Sequence, residues 1–300
     1  MSATSDAVRK MFKEGDDIRD AGLDTPPDVV RVDDLRYASD DPCQLLDVYR
    51  PRERDGEVFP VIVSVHGGGW VYGDKERYQW YCMSLAQRGF AVVNFTYRLA
   101  PEHTFPASMT DTYSAFAWVL EHADEYLLDK DRVFAVGDSA GARMLSMYAI
   151  ACTDATYAGK LGIRTPQGFV PSAVALNCGA YRITIPEHKT GDMMLDLTAN
   201  LMQDLLPEGG TAAVCALISP IDHLNERFPP AFVMTADGDF LAPDALPLVR
   251  ALMDLNVEVN FHYYQSNERE LGHVFHCNMR LTEAHTCNDD ECAFFHSHLS

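Results

Sequence analysis

No run of about 18 consecutive apolar residues, the length a helix needs to cross a bilayer, occurs in this chain. An apolar leader core is also missing, because the opening MSATSDAVRKMFKEGDD is polar or charged at most positions. Basic side chains are scarce: 24 Lys and Arg face 44 Asp and Glu, a net charge of -20 with no local Lys/Arg cluster to offset it. Such a charge repels phosphate backbones and anionic lipid, so neither nucleic acid nor a membrane is expected as a partner. Internal repeats and low-complexity tracts are absent. Without an export signal, the eight cysteines are expected to be reduced thiols of a cytoplasmic protein, not a disulfide framework. The acidic excess serves solubility and says little about a substrate.

What the chain does contain is enough apolar material for one large α/β domain across 300 residues. Val8, Met11, Phe12 and Ile18 are spaced as one face of an N-terminal helix that TPP ends. Two alternating segments at 30–37 and 45–49, separated by SDDP, predict an antiparallel hairpin at a sheet edge. Apolar runs without alternation follow at 60–66, 90–97, 133–137, 173–177 and 231–236, as expected of strands covered on both faces. Helical patterns near 77–88, 110–124, 140–152 and 244–255 lie between them, implying a mostly parallel sheet joined by right-handed crossovers. Residues 179–228 are too long for a connection and are expected to form a lid or binding element.

Chemistry concentrates at strand ends. VFAVGDSAGARML places Ser139 between Gly137 and Gly141, directly after an apolar strand and at the start of a helix. G-x-S-x-G alone is a weak signal, but on a strand-to-helix turn it exposes the hydroxyl above a helix N-terminus. A serine hydroxyl needs a base, an acid to orient the base, and donors for the oxyanion. VHGGGW, after another core strand, supplies glycines whose N–H groups can converge on an anion, and Gly68, Gly69 and the N–H of Ala140 are the expected donors. In TADGDFLAPD both Asp237 and Asp239 are available as the acid, although loop aspartates also serve as turn formers. The base is expected after the acid, and ELGHVFHCN offers His273 and His276, with Gly272 freeing the backbone beside His273.

HGGGW, YRLAPEHTFPA, GDSAG and GHVF, in that order, resemble the hormone-sensitive-lipase-like branch of α/β-hydrolase esterases over roughly residues 45–285. The resemblance implies an α/β-hydrolase fold: a mostly parallel sheet of about eight strands with helices on both faces. It also implies a single domain over 1–300 with a small cap, placed at about 1–28 and 179–228, and neither metal nor organic cofactor. By that resemblance Ser139 is the nucleophile, Asp239 the acid and His273 the base. Three departures occur: D-F-L replaces D-P-L after the acid, Ala142 replaces a second glycine after GDSAG, and HVF replaces HGF at the base. The substitution at 142 suggests looser packing of helix on strand. Arg98 and Glu102 are read as charges that hold the YRLAPE loop, and Asp138 as a structural neighbour of the nucleophile.

The expected activity is hydrolysis of short-chain acyl esters, acetyl to butyryl, through an acyl-enzyme, because no broad apolar lid is apparent. A carbohydrate acetyl or feruloyl esterase, an amidase or peptidase, and a non-catalytic small-ligand receptor are the alternatives. The partner is a small ester, and the sequence leaves the oligomeric state open. Cys287, Cys292, His296 and His298 near the C-terminus raise a metal reading, but the cysteine spacing is loose for structural zinc. An amphipathic terminal helix with DDE in its first turn explains the same residues.

Overall fold

The computed structural model describes residues 2–299 except 55, 186, 187, 189, 192 and 207–209. Its strands are β1 (Val29–Arg36), β2 (Leu45–Pro51), β3 (Phe59–Val65), β4 (Ala91–Phe95), β5 (Leu128–Asp138), β6 (Val174–Asn177), β7 (Ala231–Ala236) and β8 (Val259–Tyr264). They form an eight-stranded sheet in the order β1-β2-β4-β3-β5-β6-β7-β8. The hairpin expected at the edge is there: β1 pairs antiparallel with β2, and β2 with β4. From β4 onward every pairing is parallel.

The first five helices are α1 (Ala3–Asp20), α2 (Lys75–Ala86), α3 (Ala107–Glu121), α4 (Ala123–Tyr126) and α5 (Ala140–Thr153). The remaining five among the described residues are α6 (Ala155–Leu161), α7 (Met193–Leu205), α8 (Ala212–Leu217), α9 (Ala242–Asp254) and α10 (Thr282–His296). Side chains alternate across a strand, and β3 shows the consequence: Val61, Val63 and Val65 join a core with α3, α5 and α9, while Ile62 joins α2 and α10 on the other face. Both faces are covered, so the strand reads as an uninterrupted apolar run.

Three details differ from the sequence reading. β5 begins at Leu128, five residues before its apolar run, because 130–132 bulge out of the register with β3 and are exposed. Helix α10 starts at Thr282, which puts Asp289 and Asp290 in mid-helix instead of in a first turn. Ala142 does not loosen the packing of α5: it is fully buried, and a Cβ on Gly179 would lie 2.8 Å from its methyl.

Parallel register lines up the carboxyl ends of the strands. Val65 pairs with Gly137, Asp138 with Asn177, and Ala236 with Tyr264. The segments leaving β3, β5, β6, β7 and β8 therefore emerge along one edge, where open α/β sheets bind ligands. Helix α1 packs on α7 through a Ser5–Asp204 hydrogen bond, and Arg9 reaches the Val71 and Ala100 carbonyls at 2.7 and 2.8 Å. No described helix is long and apolar enough to cross a membrane.

Candidate active site

The chain reverses sharply at Ser139, whose φ of 52° and ψ of -117° are those of neither strand nor helix. The turn needs its glycines: a Cβ on Gly137 would lie 2.7 Å from the backbone of Gly141, and one on Gly141 would collide with the Val65 carbonyl. Ser139 N–H donates to the Asn177 carbonyl at 2.9 Å, fixing the turn to the end of β6. The residue is partly exposed on a turn whose neighbours Asp138 and Ala140 are buried.

The loop after β3 is tied to this turn by Asp138. Its Oδ1 accepts the Gly67 N–H at 3.0 Å and its Oδ2 accepts the Tyr78 hydroxyl at 2.7 Å. Burial pushes the Asp138 carboxyl up to about 6, against the opposing pull of Tyr78 and of the nearby His273. Gly68 has φ +106° and Gly69 φ +63°, and a Cβ on Gly68 would strike the Tyr72 carbonyl. Among the described residues, the N–H groups of Gly68, Gly69 and Ala140 donate to no protein acceptor. His66, which opens the loop, stacks on Tyr97 with ring centroids 3.9 Å apart, and burial lowers it to about 4, so its ring is neutral.

Loops from β7 and β8 carry the third part. His273 Nδ1 lies 2.7 Å from Asp239 Oδ1. Asp239 also accepts the Thr235 hydroxyl at 2.7 Å and the Leu241 N–H at 3.0 Å. Burial alone would raise the Asp239 carboxyl, but hydrogen bonds from His273 and Thr235 outweigh it and hold it below its ordinary value. Asp237 does a different job, accepting the Leu271 N–H at 2.8 Å and so pinning the histidine loop. His276 is fully buried edge-on to Tyr81 at 5.0 Å, and burial lowers it to about 3.

Cys178, next in the chain to Asn177, has its Sγ within 4.8 Å of ligand atoms of Asp239 and His273. The serine turn, the thiol and the His–Asp pair thus share one corner of the sheet edge, although no hydrogen bond joins the Ser139 hydroxyl to the His273 ring among the described residues. That trio contains the described side chains best grouped for a metal, yet its carboxylate and imidazole already satisfy each other. At the C-terminus, Cys287, Cys292, His296 and His298 do not bring three ligand atoms together; both cysteines are buried in the α2–α10 core.

Several contributors escaped the sequence reading. Thr235 is a lone hydroxyl in an apolar strand, and Phe240 packs on the His273 ring with centroids 4.3 Å apart. Behind the site, buried Glu291 accepts from Tyr81 and from Asn177, each at 2.7 Å. Arg98 and Glu102 do hold their loop: Arg98 pairs with Asp111 at 2.7 Å and Glu102 with Arg9 at 2.8 Å.

A mostly parallel sheet between helices, a serine on a strained strand-to-helix turn, and a His–Asp pair on later loops define the α/β hydrolase class. The chain belongs to the alpha/beta hydrolase fold family, whose model matches residues 62–277. It is similar to the esterase LipC of Mycobacterium tuberculosis, 29% identical over 233 residues that cover 73% of this chain and 56% of the relative. An ethyl acetate hydrolase of Pseudomonas putida is 32% identical over 148 residues, 48% of this chain and 46% of that protein. The crystal structure of esterase B from Lactobacillus rhamnosis superposes with a TM-score of 0.88 at 27% identity, covering 99% of this chain and 94% of that one. Esterase B has also been solved in a form inhibited by a tributyrin phosphonate, which matches at TM-score 0.86 and 25% identity over 99% of this chain and 94% of that one. The chain spans about half the length of the curated relatives it matches, 56% of LipC and 50% of the esterase LipQ.

Proposed function

We propose that the protein is a serine carboxylesterase acting on short-chain acyl esters. The observation that carries the reading is the strained Ser139 turn at the same sheet edge as a partly buried His273–Asp239 pair and three N–H donors that have no protein acceptor among the described residues. Ser139 is the nucleophile, and His273 Nε2 takes its proton as the hydroxyl attacks the ester carbonyl. Asp239 holds the Nδ1–H tautomer and stabilises the imidazolium, while Gly68, Gly69 and Ala140 donate to the oxyanion. Collapse of the tetrahedral intermediate breaks the carbon–oxygen bond, and His273 passes its proton to the departing alcohol. Water then repeats the sequence on the acyl-enzyme, releasing the acid and restoring the Ser139 hydroxyl. No step calls for a metal or an organic cofactor.

Preference for acetyl to butyryl chains is supported by what similar proteins are named for, ethyl acetate hydrolysis and a tributyrin phosphonate inhibitor. Helix α1 with the described residues of the 179–228 segment forms the cap of a single domain in this reading, since Leu201 of α7 approaches Gly69. Ser139→Ala is expected to lower kcat on p-nitrophenyl butyrate by about 10^4-fold or more with the fold intact. It should also abolish labelling by a fluorophosphonate, which a non-catalytic receptor would not take up at all. Undiminished turnover in that variant overturns the assignment, and faster hydrolysis of a sixteen-carbon ester than a four-carbon one overturns the chain-length preference.

A further inference from the structure

Arg143 sits one turn into α5, with its N–H on the Ser139 carbonyl at 3.2 Å, and only 2% of it is exposed. Its guanidinium lies 3.8 Å from the centroid of the Trp70 ring, and Nη1 is 3.9 Å from Met202 Sδ. Nε has no hydrogen-bond partner, and among the described residues no carboxylate pairs with this side chain. Other arginines of the chain show the usual solution: Arg98 has Asp111, Arg19 has Asp16 and Asp20, and Arg9 has Glu102. Burial lowers the Arg143 guanidinium to about 9, so it stays cationic at neutral pH. A buried cation without a counter-charge is costly, and a cation–π contact recovers only part of that cost.

Its position connects it with the ester site. Trp70 directly follows Gly69, and Leu201, beside Met202, would lie 3.1 Å from a Cβ on Gly69. The guanidinium therefore lies between the helix that carries Ser139, the glycine loop and α7. One guanidinium balances one carboxylate, whereas a doubly charged phosphate needs further donors.

We propose that Arg143 binds a free carboxylate carried by the substrate, making esters with a second, ionised acid group the preferred class. This rests on the esterase reading above. The carboxylate can belong to the acid part, as in a monoester of a short dicarboxylic acid, or to the alcohol part, as in an acylated hydroxy acid.

Two pairs of esters distinguish these sources: monoethyl glutarate against ethyl valerate, and 4-acetoxybutyrate against butyl acetate. For the wild type, kcat/KM is expected to favour the anionic member of at least one pair by about tenfold, expressed in KM. Arg143→Met should bring that ratio to one or below, and Arg143→Lys should restore part of it; because the readout is a ratio, a general loss of activity cancels. A wild-type ratio of one or less in both pairs, or an unchanged ratio in Arg143→Met, overturns the inference while leaving the esterase reading standing. No turnover of any of the four esters overturns both. Should Arg143→Met fail to fold, inhibition of wild-type ethyl valerate hydrolysis decides. Stronger competition by glutarate than by pentanamide supports the role, and equal or weaker competition overturns it.

Discussion

Ser139 occupies backbone torsions that a side chain disfavours, φ 52° with ψ -117°, and the surrounding packing holds it there. Strain of this kind costs on the order of 1–3 kcal/mol, and glycine relieves it at some cost in unfolded-chain entropy. Ser139→Gly is therefore expected to raise stability by about 1 kcal/mol in urea denaturation while abolishing ester hydrolysis. A variant less stable than the wild type would show that the turn is unstrained. Glu291 gives a second test at this scale. Burial raises its carboxyl to about 7, so the group favours the fold fully below its ordinary 4.5 and loses that contribution as pH climbs to about 7. Comparing melting temperatures between pH 5 and 8, wild type should lose ground to Glu291→Gln as pH rises. A pH-independent difference would mean that the side chain does not titrate in this range.

Helix α5 can lie against β3 only because its first turn has almost no side chains. Its residues from Ala140 to Ala151 are all buried, and Gly141 meets the Val65 carbonyl where a methyl would overlap it. Gly141→Ala must push α5 off the sheet. It should destabilise by about 1–3 kcal/mol in the same assay and reduce activity, since Ser139 moves with the helix. Neutral stability would show that the contact is slack. On the other face, Phe90, Phe134 and Phe295 cluster between the sheet, α2 and α10, each fully buried and each adding roughly 1.5–3 kcal/mol. The apolar runs made most of these elements legible, and capping or turn residues set their ends. The start of β5 was not, because the exposed charged residues 130–132 carry no apolar pattern and bulge out of the ladder.

Across the whole molecule the net charge of -20 acts as self-repulsion. Surface ion pairs, such as Lys13 with Asp17, return little of this because they are exposed. Raising NaCl from about 10 to 300 mM shortens the screening length several-fold, so the melting temperature is expected to rise. A fall would mean that attractive pairs dominate the balance.

Residue order alone determined the alternation of strands and helices, the glycine-flanked serine, and the glycine loop after β3, because these rest on local periodicity and steric demand. The choice between Asp237 and Asp239 and between His273 and His276 was open in local chemistry; the geometry pairs Asp239 with His273 and sets Asp237 to hold the loop and His276 in the core. Arg143, Glu291 and Thr235 acquired their surroundings only in three dimensions. Whether a buried charge has a partner depends on which distant segments the sheet brings beside it, and no spacing along the chain encodes that.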